Sequence, residues 1–204
     1  MTLSTNSLSV LVLCEYSGVV RDAFRARGHY AISCDILPTE VVGYHHQGDA
    51  FDMLDRAWDI IIAHPPCTAL CVSGNRTYGA GKPKHHMRAE SAAWTQKLWD
   101  ACVAKSKHVC FENPVGVLPR LTTMPRPGYV QPWMFGHKEE KKTGLFLHGL
   151  EPLIETDNVY DEMMLLPVNQ RQKVFYASPG PNRGKDRSRT YQGIADAMAA
   201  QWGG

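Results

Sequence analysis

A chain of 204 residues with 44% hydrophobic content is long enough to bury one sizeable core, and no run in it is as long and apolar as a membrane span. The net charge of +2 neither demands nor excludes a nucleic-acid partner. Cys14, Cys34, Cys67, Cys71, Cys102 and Cys110 show no CxxC spacing and read as reduced thiols of a cytoplasmic protein, not as a disulfide frame; the Ser/Thr-rich start lacks the basic and apolar segments of a secretion signal.

In chain order, residues 9–14 form a short apolar run that reads as a buried strand. Residues 18–27 fit a helix with Val19, Ala23 and Phe24 on one face, closed by Gly28. A second strand covers 30–34 and ends at Asp35, and a third covers 58–63. A long helix follows over about 87–106, with Ala92, Trp94, Leu98, Trp99, Ala101 and Cys102 at helical spacing. Strands at 109–111 and 144–147 and a last helix at 192–202 complete the list. This alternation predicts an α/β fold, a largely parallel sheet with helices on both faces. One domain over 1–204 is expected. Loops at 72–86, 114–131 and 177–189, rich in Gly, Pro and charge, are candidates for substrate-facing segments.

Two strand ends carry the chemistry. The strand ending at Ala63 opens into His64-Pro65-Pro66-Cys67, a thiol on a stiff turn. Some 45 residues later the strand ending at Phe111 opens into Glu112-Asn113-Pro114, a carboxyl. Open α/β sheets display their ligands at such strand ends. A nucleophile paired with an acid suits addition to an electron-poor pyrimidine ring, which the thiol attacks and the acid polarises. Between Arg171 and Arg189 lie six cations (Arg171, Lys173, Arg183, Lys185, Arg187, Arg189) against one acid, Asp186, a stretch that reads equally as a phosphate-facing patch or a solvated basic loop. His45-His46 and His85-His86 read as loop residues. A metal held by Cys67, Cys71, His85 and His86 is disfavoured, because CxxxC is not a usual zinc pair and no second compact pair completes the set.

These segments together resemble the S-adenosylmethionine-dependent DNA cytosine-C5 methyltransferases, especially the short versions carried by bacteriophages and prophages. Leu13-Cys-Glu-Tyr-Ser-Gly18 is similar to the family's first motif, with Tyr16 where Phe is usual and the later glycines replaced by Val20 and Arg21. Ala63-His-Pro-Pro-Cys67 resembles the catalytic loop, with Ala63-His64 in place of two glycines. Phe111-Glu-Asn-Pro114 resembles the Glu-Asn-Val motif, and 190–198 the last motif, with Asp196 where Asn is usual. The resemblance implies a Rossmann-like methyltransferase fold with S-adenosylmethionine held by Glu15, Tyr16, Ser17, Gly18, Asp35, Asp49, Pro65 and Asp196. It implies Cys67 and Glu112 as catalytic residues, Glu112 with a raised pKa so as to carry a proton to N3, and Pro66 and Asn113 at the substrate. A further cation on the cytosine carbonyl would be Lys141, or alternatively Arg171. Arg187 and Arg189 would meet DNA phosphates.

The expected substrate is cytosine in DNA, duplex or single-stranded, in the cytoplasm of the host if the protein is phage-borne. Two alternatives stand beside it: a related alkyltransferase acting on a free pyrimidine nucleotide, RNA or an amino group, and a silent cofactor- or DNA-binding phage protein. The chain leaves no room for a separate target-recognition domain. Sequence specificity is therefore expected to be short or absent, or to come from a partner or a second copy in a homodimer, with 114–170 as a reduced substrate-facing insertion.

Overall fold

The computed structural model describes residues 7–178, 180 and 183–204; the Ser/Thr-rich start at 1–6 and three positions of the 177–189 loop, Pro179, Pro181 and Asn182, lie outside them. The chain runs through β1 (Ser9–Leu13), α1 (Val19–Ala26), β2 (Tyr30–Asp35), β3 (His45–Gln47), β4 (Ile60–Ala63), α2 (Asn75–Tyr78) and α3 (His86–Val103). It continues through β5 (Val109–Pro114), α4 (Leu118–Leu121), β6 (Gly128–Val130), β7 (Thr143–His148), α5 (Tyr160–Met164), α6 (Val168–Arg171), α7 (Lys173–Tyr176), α8 (Arg183–Ser188) and α9 (Gln192–Trp202).

All seven strands join one sheet in the order β3-β2-β1-β4-β5-β7-β6. The first five are mutually parallel; β7 runs antiparallel to β5 and to β6. The α/β architecture expected from the alternation is therefore observed. Strands β1 and β4 are apolar at nearly every position because helices cover both faces of the sheet, as parallel strands require. Alternation divides the core in two. Leu11, Leu13, Ile61, Ala63, Val109 and Phe111 pack against Ala92, Leu98, Trp99 and Cys102 of α3. Val10, Val12, Ile60, Ile62 and Cys110 pack on the opposite face with Val20, Ala23 and Phe24 of α1 and Ile194, Ala195 and Met198 of α9.

Three features depart from expectation. His45 and His46 are not loop residues but two thirds of the edge strand β3, where the His45 ring is hydrogen-bonded to Ser33 Oγ (2.9 Å) and Leu37 O (3.0 Å). A three-residue polar strand has no periodicity to announce it. All three expected loops carry elements of their own, α2 in 72–86, α8 in 177–189, and α4 and β6 in 114–131, whose Leu118, Met124 and Val130 are core residues. Strand β5 continues past Phe111 to Pro114, because β7 pairs with it as far as Pro114↔Thr143, so Glu112 and Asn113 sit within the sheet.

Phe111 is fully buried, its ring edge-on to Trp99 with centroids 5.1 Å apart. Phe111→Ala should cost about 3–5 kcal/mol, read as a lower midpoint in urea unfolding with an unchanged slope.

Candidate active site

The C-terminal ends of β1, β2, β4 and β5 open along one edge of the sheet. The chain leaves β1 for β2 on one side and leaves β4 for β5 on the other, which makes the boundary between β1 and β4 a switch point. A cleft of about 1060 Å³ occupies it. Among the residues expected at the site, Glu15, Tyr16, Ser17, Asp35, Pro65, Pro66, Cys67, Glu112, Lys141, Arg187 and Arg189 line this cleft.

Sheet register accounts for its centre. Ala63 of β4 pairs with Phe111 of β5, so the next residues, His64 and Glu112, lie side by side with their side chains on the same face. His64 Nδ1 and Glu112 Oε2 are 3.1 Å apart, and both side chains are about nine-tenths buried (9% and 12% exposed). The His64 N–H extends the ladder by donating to Leu13 O (3.0 Å). Burial pushes the Glu112 carboxyl up, but the hydrogen bond and charge of His64, with Lys141 and the Thr143 hydroxyl, outweigh it and hold Glu112 below the usual carboxylate range. Burial presses His64 down, yet Glu112 and Glu15 raise it above its ordinary value. Each therefore favours the charged form of the other, imidazolium beside carboxylate. This corrects the expected raised Glu112 pKa: burial does push it up, but a histidine 48 residues away reverses the sign.

Cys67 follows the Pro65-Pro66 turn. Its carbonyl accepts N–H bonds from Leu70 and Cys71 (both 2.9 Å), so one helical turn sets Cys71 beneath it. Cys71 and burial raise the Cys67 thiol, whereas Cys71 is lowered by the Cys67 thiol, Ser73 and the Gly74 backbone. Cys71 Sγ lies 3.1 Å from Ser73 Oγ. Cys71 is 8% exposed and Cys67 more open. Two buried groups latch the loop: Asn113 Nδ2 donates to Pro65 O (2.9 Å), and Arg88 of α3 donates through Nε to Ala69 O (2.7 Å). Asn113 thus braces the catalytic-loop candidate from beneath and is not among the residues lining the cleft. Neither His64 nor Arg88 was singled out from the sequence; for His64 the signal was its place directly before Pro65-Pro66.

On the side of β1 and β2, Glu15 caps α1: its carboxylate accepts the N–H groups of Val20 (2.7 Å) and Arg21 (3.2 Å). Gly18 is the residue before α1, at φ 75, where a Cβ would press on Arg21 and Val41. Its role is in the turn, and it does not line the cleft. Asp35 lies at the mouth, accepting the Leu37 N–H (2.9 Å), its carboxyl raised by burial.

Three expected site residues lie elsewhere. Asp49 caps the turn at 50–53 through the Phe51 N–H (2.9 Å) and is not among the lining residues. Asp196 is exposed on α9 and accepts from Gln192 Nε2 (2.8 Å), because Ile194, Ala195, Ala197 and Met198 take the face that packs on the core. Arg171 pairs with Glu140 (3.2 Å) away from the cleft, leaving Lys141 as the cation beside Glu112.

The basic stretch is largely neutralised. Lys173 pairs with Glu139 (2.9 Å), and both Lys185 (2.5 Å) and Arg189 bond to Glu40. Tyr16 OH lies 3.2 Å from Ser188 Oγ, and Lys141 Nζ donates to Arg189 O (3.2 Å), so 185–190 is strapped over the cleft. Arg187 lines the cleft and forms no ion pair among the described residues. The Arg183 side chain lies outside the described part. Of the segment 114–170, Pro114 and Lys141 reach the lining.

No protein-family model and no curated protein matches this sequence. Solved structures similar to it include a prophage-encoded protein of E. coli described as a DNA modification methyltransferase, at 15% identity over 79% of this chain and 56% of that one, with a TM-score of 0.45. A methyltransferase of Entamoeba histolytica is 12% identical over 75% of this chain and 58% of that one, with a TM-score of 0.44. A Thermoplasma acidophilum protein is 13% identical over 71% and 79%, with a TM-score of 0.43. The chain therefore spans little more than half the length of the first two.

Cys71 owes its lowered pKa first to the Cys67 thiol, so its thiolate should persist below the ordinary cysteine range. Cys67→Ala removes that donor and should move the thiolate titration, followed by absorbance at 240 nm, to higher pH; an unmoved curve would separate the two thiols.

Proposed function

We propose that this chain transfers a methyl group from S-adenosylmethionine to C5 of cytosine in DNA, through a covalent bond between Cys67 Sγ and C6 of the ring. The observation that carries this reading is the meeting of Cys67, Glu112 and Lys141 in one cleft, with Tyr16 and Asp35 in the same cleft. When bound, S-adenosylmethionine supplies an electrophilic methyl group. The part of the cleft near β1 and β2 suits it: Asp35 offers an acceptor for ribose hydroxyls, and Leu37 and Pro38 offer apolar wall for a purine. Asp49 is tied into its cap and does not line this part of the cleft.

Cytosine C5 is too electron-poor to take a methyl group unaided. Addition of the Cys67 thiolate at C6, with a proton delivered to N3 through Glu112, makes C5 enamine-like and nucleophilic. Lys141 supplies positive charge beside both groups; its field lowers Glu112 and Cys67 alike. The target base must leave a stack or be single-stranded already, since C6 is inaccessible within a duplex.

The nearness of the two thiols admits a second assignment within the same chemistry, with Cys71, drawn down by the Cys67 thiol, Ser73 and the Gly74 backbone, as the nucleophile. Its near-complete burial argues for Cys67 as the atom that reaches the ring. DNA containing 5-fluorocytosine decides between them. An adduct stable to denaturation should form, map to Cys67 and vanish in Cys67→Ser, and nucleosides from a host expressing the wild type should contain 5-methylcytosine. An adduct on Cys71 would overturn the assignment of the nucleophile; no adduct and no modified nucleoside would overturn the reaction.

DNA phosphates have to compete with Glu40 for Lys185 and Arg189. Glu40→Gln should release both cations, tighten binding to DNA of any sequence and steepen the plot of log K against log salt by about 2 for two added phosphate contacts. Fluorescence anisotropy at several salt concentrations measures this, and an unchanged slope would show that the two cations do not meet DNA.

A further inference from the structure

We propose that His64 is the proton reservoir of Glu112: in the resting site the proton they share sits on His64 Nδ1, across the 3.1 Å contact, and crosses to Glu112 as the base is attacked. The proposal rests on the methyl-transfer reading for its chemical half, and on the geometry of the pair together with the charges around it for the position of the proton. Three observations carry it. The strand register forces the two side chains together with no intervening residue. Both are about nine-tenths buried, so bulk water is a poor proton source for the carboxylate. The second ring nitrogen of His64, Nε2, is buried and has no hydrogen-bond partner among the described residues, so Glu112 is the acceptor that holds the protonated ring, and the unsatisfied Nε2–H eases release of the Nδ1 proton when N3 draws on Glu112.

A lone ionised Glu112 could polarise N3 poorly, because it has no proton to offer. With His64 beside it, the steps balance. Cys67 adds as the thiolate, its own proton having gone to solvent, and the Sγ–C6 bond forms. Electron density moves through the ring to N3, which takes a proton from Glu112, which takes one from His64 Nδ1. After C5 has gained its methyl group, the C5 proton leaves to solvent, the Sγ–C6 bond breaks, and the N3 proton returns through Glu112 to His64. The reservoir is restored each turnover. His64 acts through Glu112 and is a positioning residue, not one that touches the ring.

The surrounding charges set the pH range. Glu112 on β5 and Glu15 in the turn after β1 favour the imidazolium, and Lys141, ahead of β7, opposes it. Asp35 at the end of β2 feels the His64 charge, and Cys67 and Cys110 feel that of Glu112. The net displacement of His64 is upward, so the proton is held below that raised pKa and lost as pH rises through it. Methylation should therefore decline on the alkaline side at a pH above the ordinary histidine value. In His64→Gln, Glu112 must hold the proton itself, and the alkaline limb should move down by on the order of two pH units, the spacing of ordinary carboxyl and imidazole values. The rate of 5-fluorocytosine adduct formation at neutral pH should fall on the order of 10²-fold.

The test has two arms on the full chain. Imidazole carbon NMR, with the His64 signal identified by its loss in His64→Gln, should give a titration above the ordinary histidine range that drops in Glu112→Gln. An unchanged His64 titration in Glu112→Gln overturns the shared proton. The pH profile of adduct formation in wild type and His64→Gln forms the other arm, and an alkaline limb that stays in place overturns the reservoir even if the rate falls. Absence of adduct in the wild type at every pH sinks the methyl-transfer reading, and the chemical half of this proposal with it, whereas the NMR arm still judges where the proton sits. Should His64→Gln fail to fold, the His64 signal is identified instead by its loss in His64→Asn, and that variant supplies the pH profile.

Discussion

The parallel pairing of β4 with β5 constrains everything at the cleft. It aligns Ala63 with Phe111 on the α3 side of the sheet and so obliges His64 and Glu112 to meet on the other. A shift of one residue would turn Phe111 out of its contact with Trp99 and bury Glu112 against α3 with no partner. The apolar core thus enforces the geometry of a polar pair that would be costly to bury unpaired. Asn113, one residue on, faces the other way and latches the Pro65 carbonyl, so two consecutive residues of β5 do two different jobs.

Charge around the cleft is nearly balanced within the protein. Glu15 is held by the start of α1, Glu112 by His64 and Lys141, and Glu40 by Lys185 and Arg189. The contacts of Glu112 and Glu40 join segments far apart in sequence, whereas that of Glu15 is local, and each occupies a group that a ligand would otherwise find free. The strap at 185–190 is the clearest case. Its bonds to Tyr16, Glu40 and Lys141 lie across the cleft mouth and are solvent-exposed, which makes them individually weak and replaceable by phosphate.

Much of this layout was legible in the residues. Strands β1, β2, β4 and β5 and helices α1, α3 and α9 follow from apolar runs and helical spacing, because those signals are local. Placement of Cys67 and Glu112 on the side of the neighbouring strands β4 and β5 followed from the same alternation, although Glu112 lies within β5 and not beyond its end. The short elements β3 and β6 were not legible; three residues carry no period, and their pairing partners, not their own composition, make them strands. Asp49 and Asp196 look alike in sequence to any ligand-binding acid. The packing of α9 and the cap at 50–53 turn them to other uses.

By itself, then, the sequence determined an α/β sheet, a thiol after one of its strands and a carboxyl after the apolar run of another, and the order of the elements, since hydrophobic pattern and turn chemistry act over a few residues at a time. Tertiary structure alone decided which charges are paired. Whether Glu112 holds a proton depends on His64, 48 residues away, and whether Lys185 and Arg189 are free depends on Glu40, roughly 150 residues away. Electrostatic energies depend on distance and burial in space, and neither can be read along a chain.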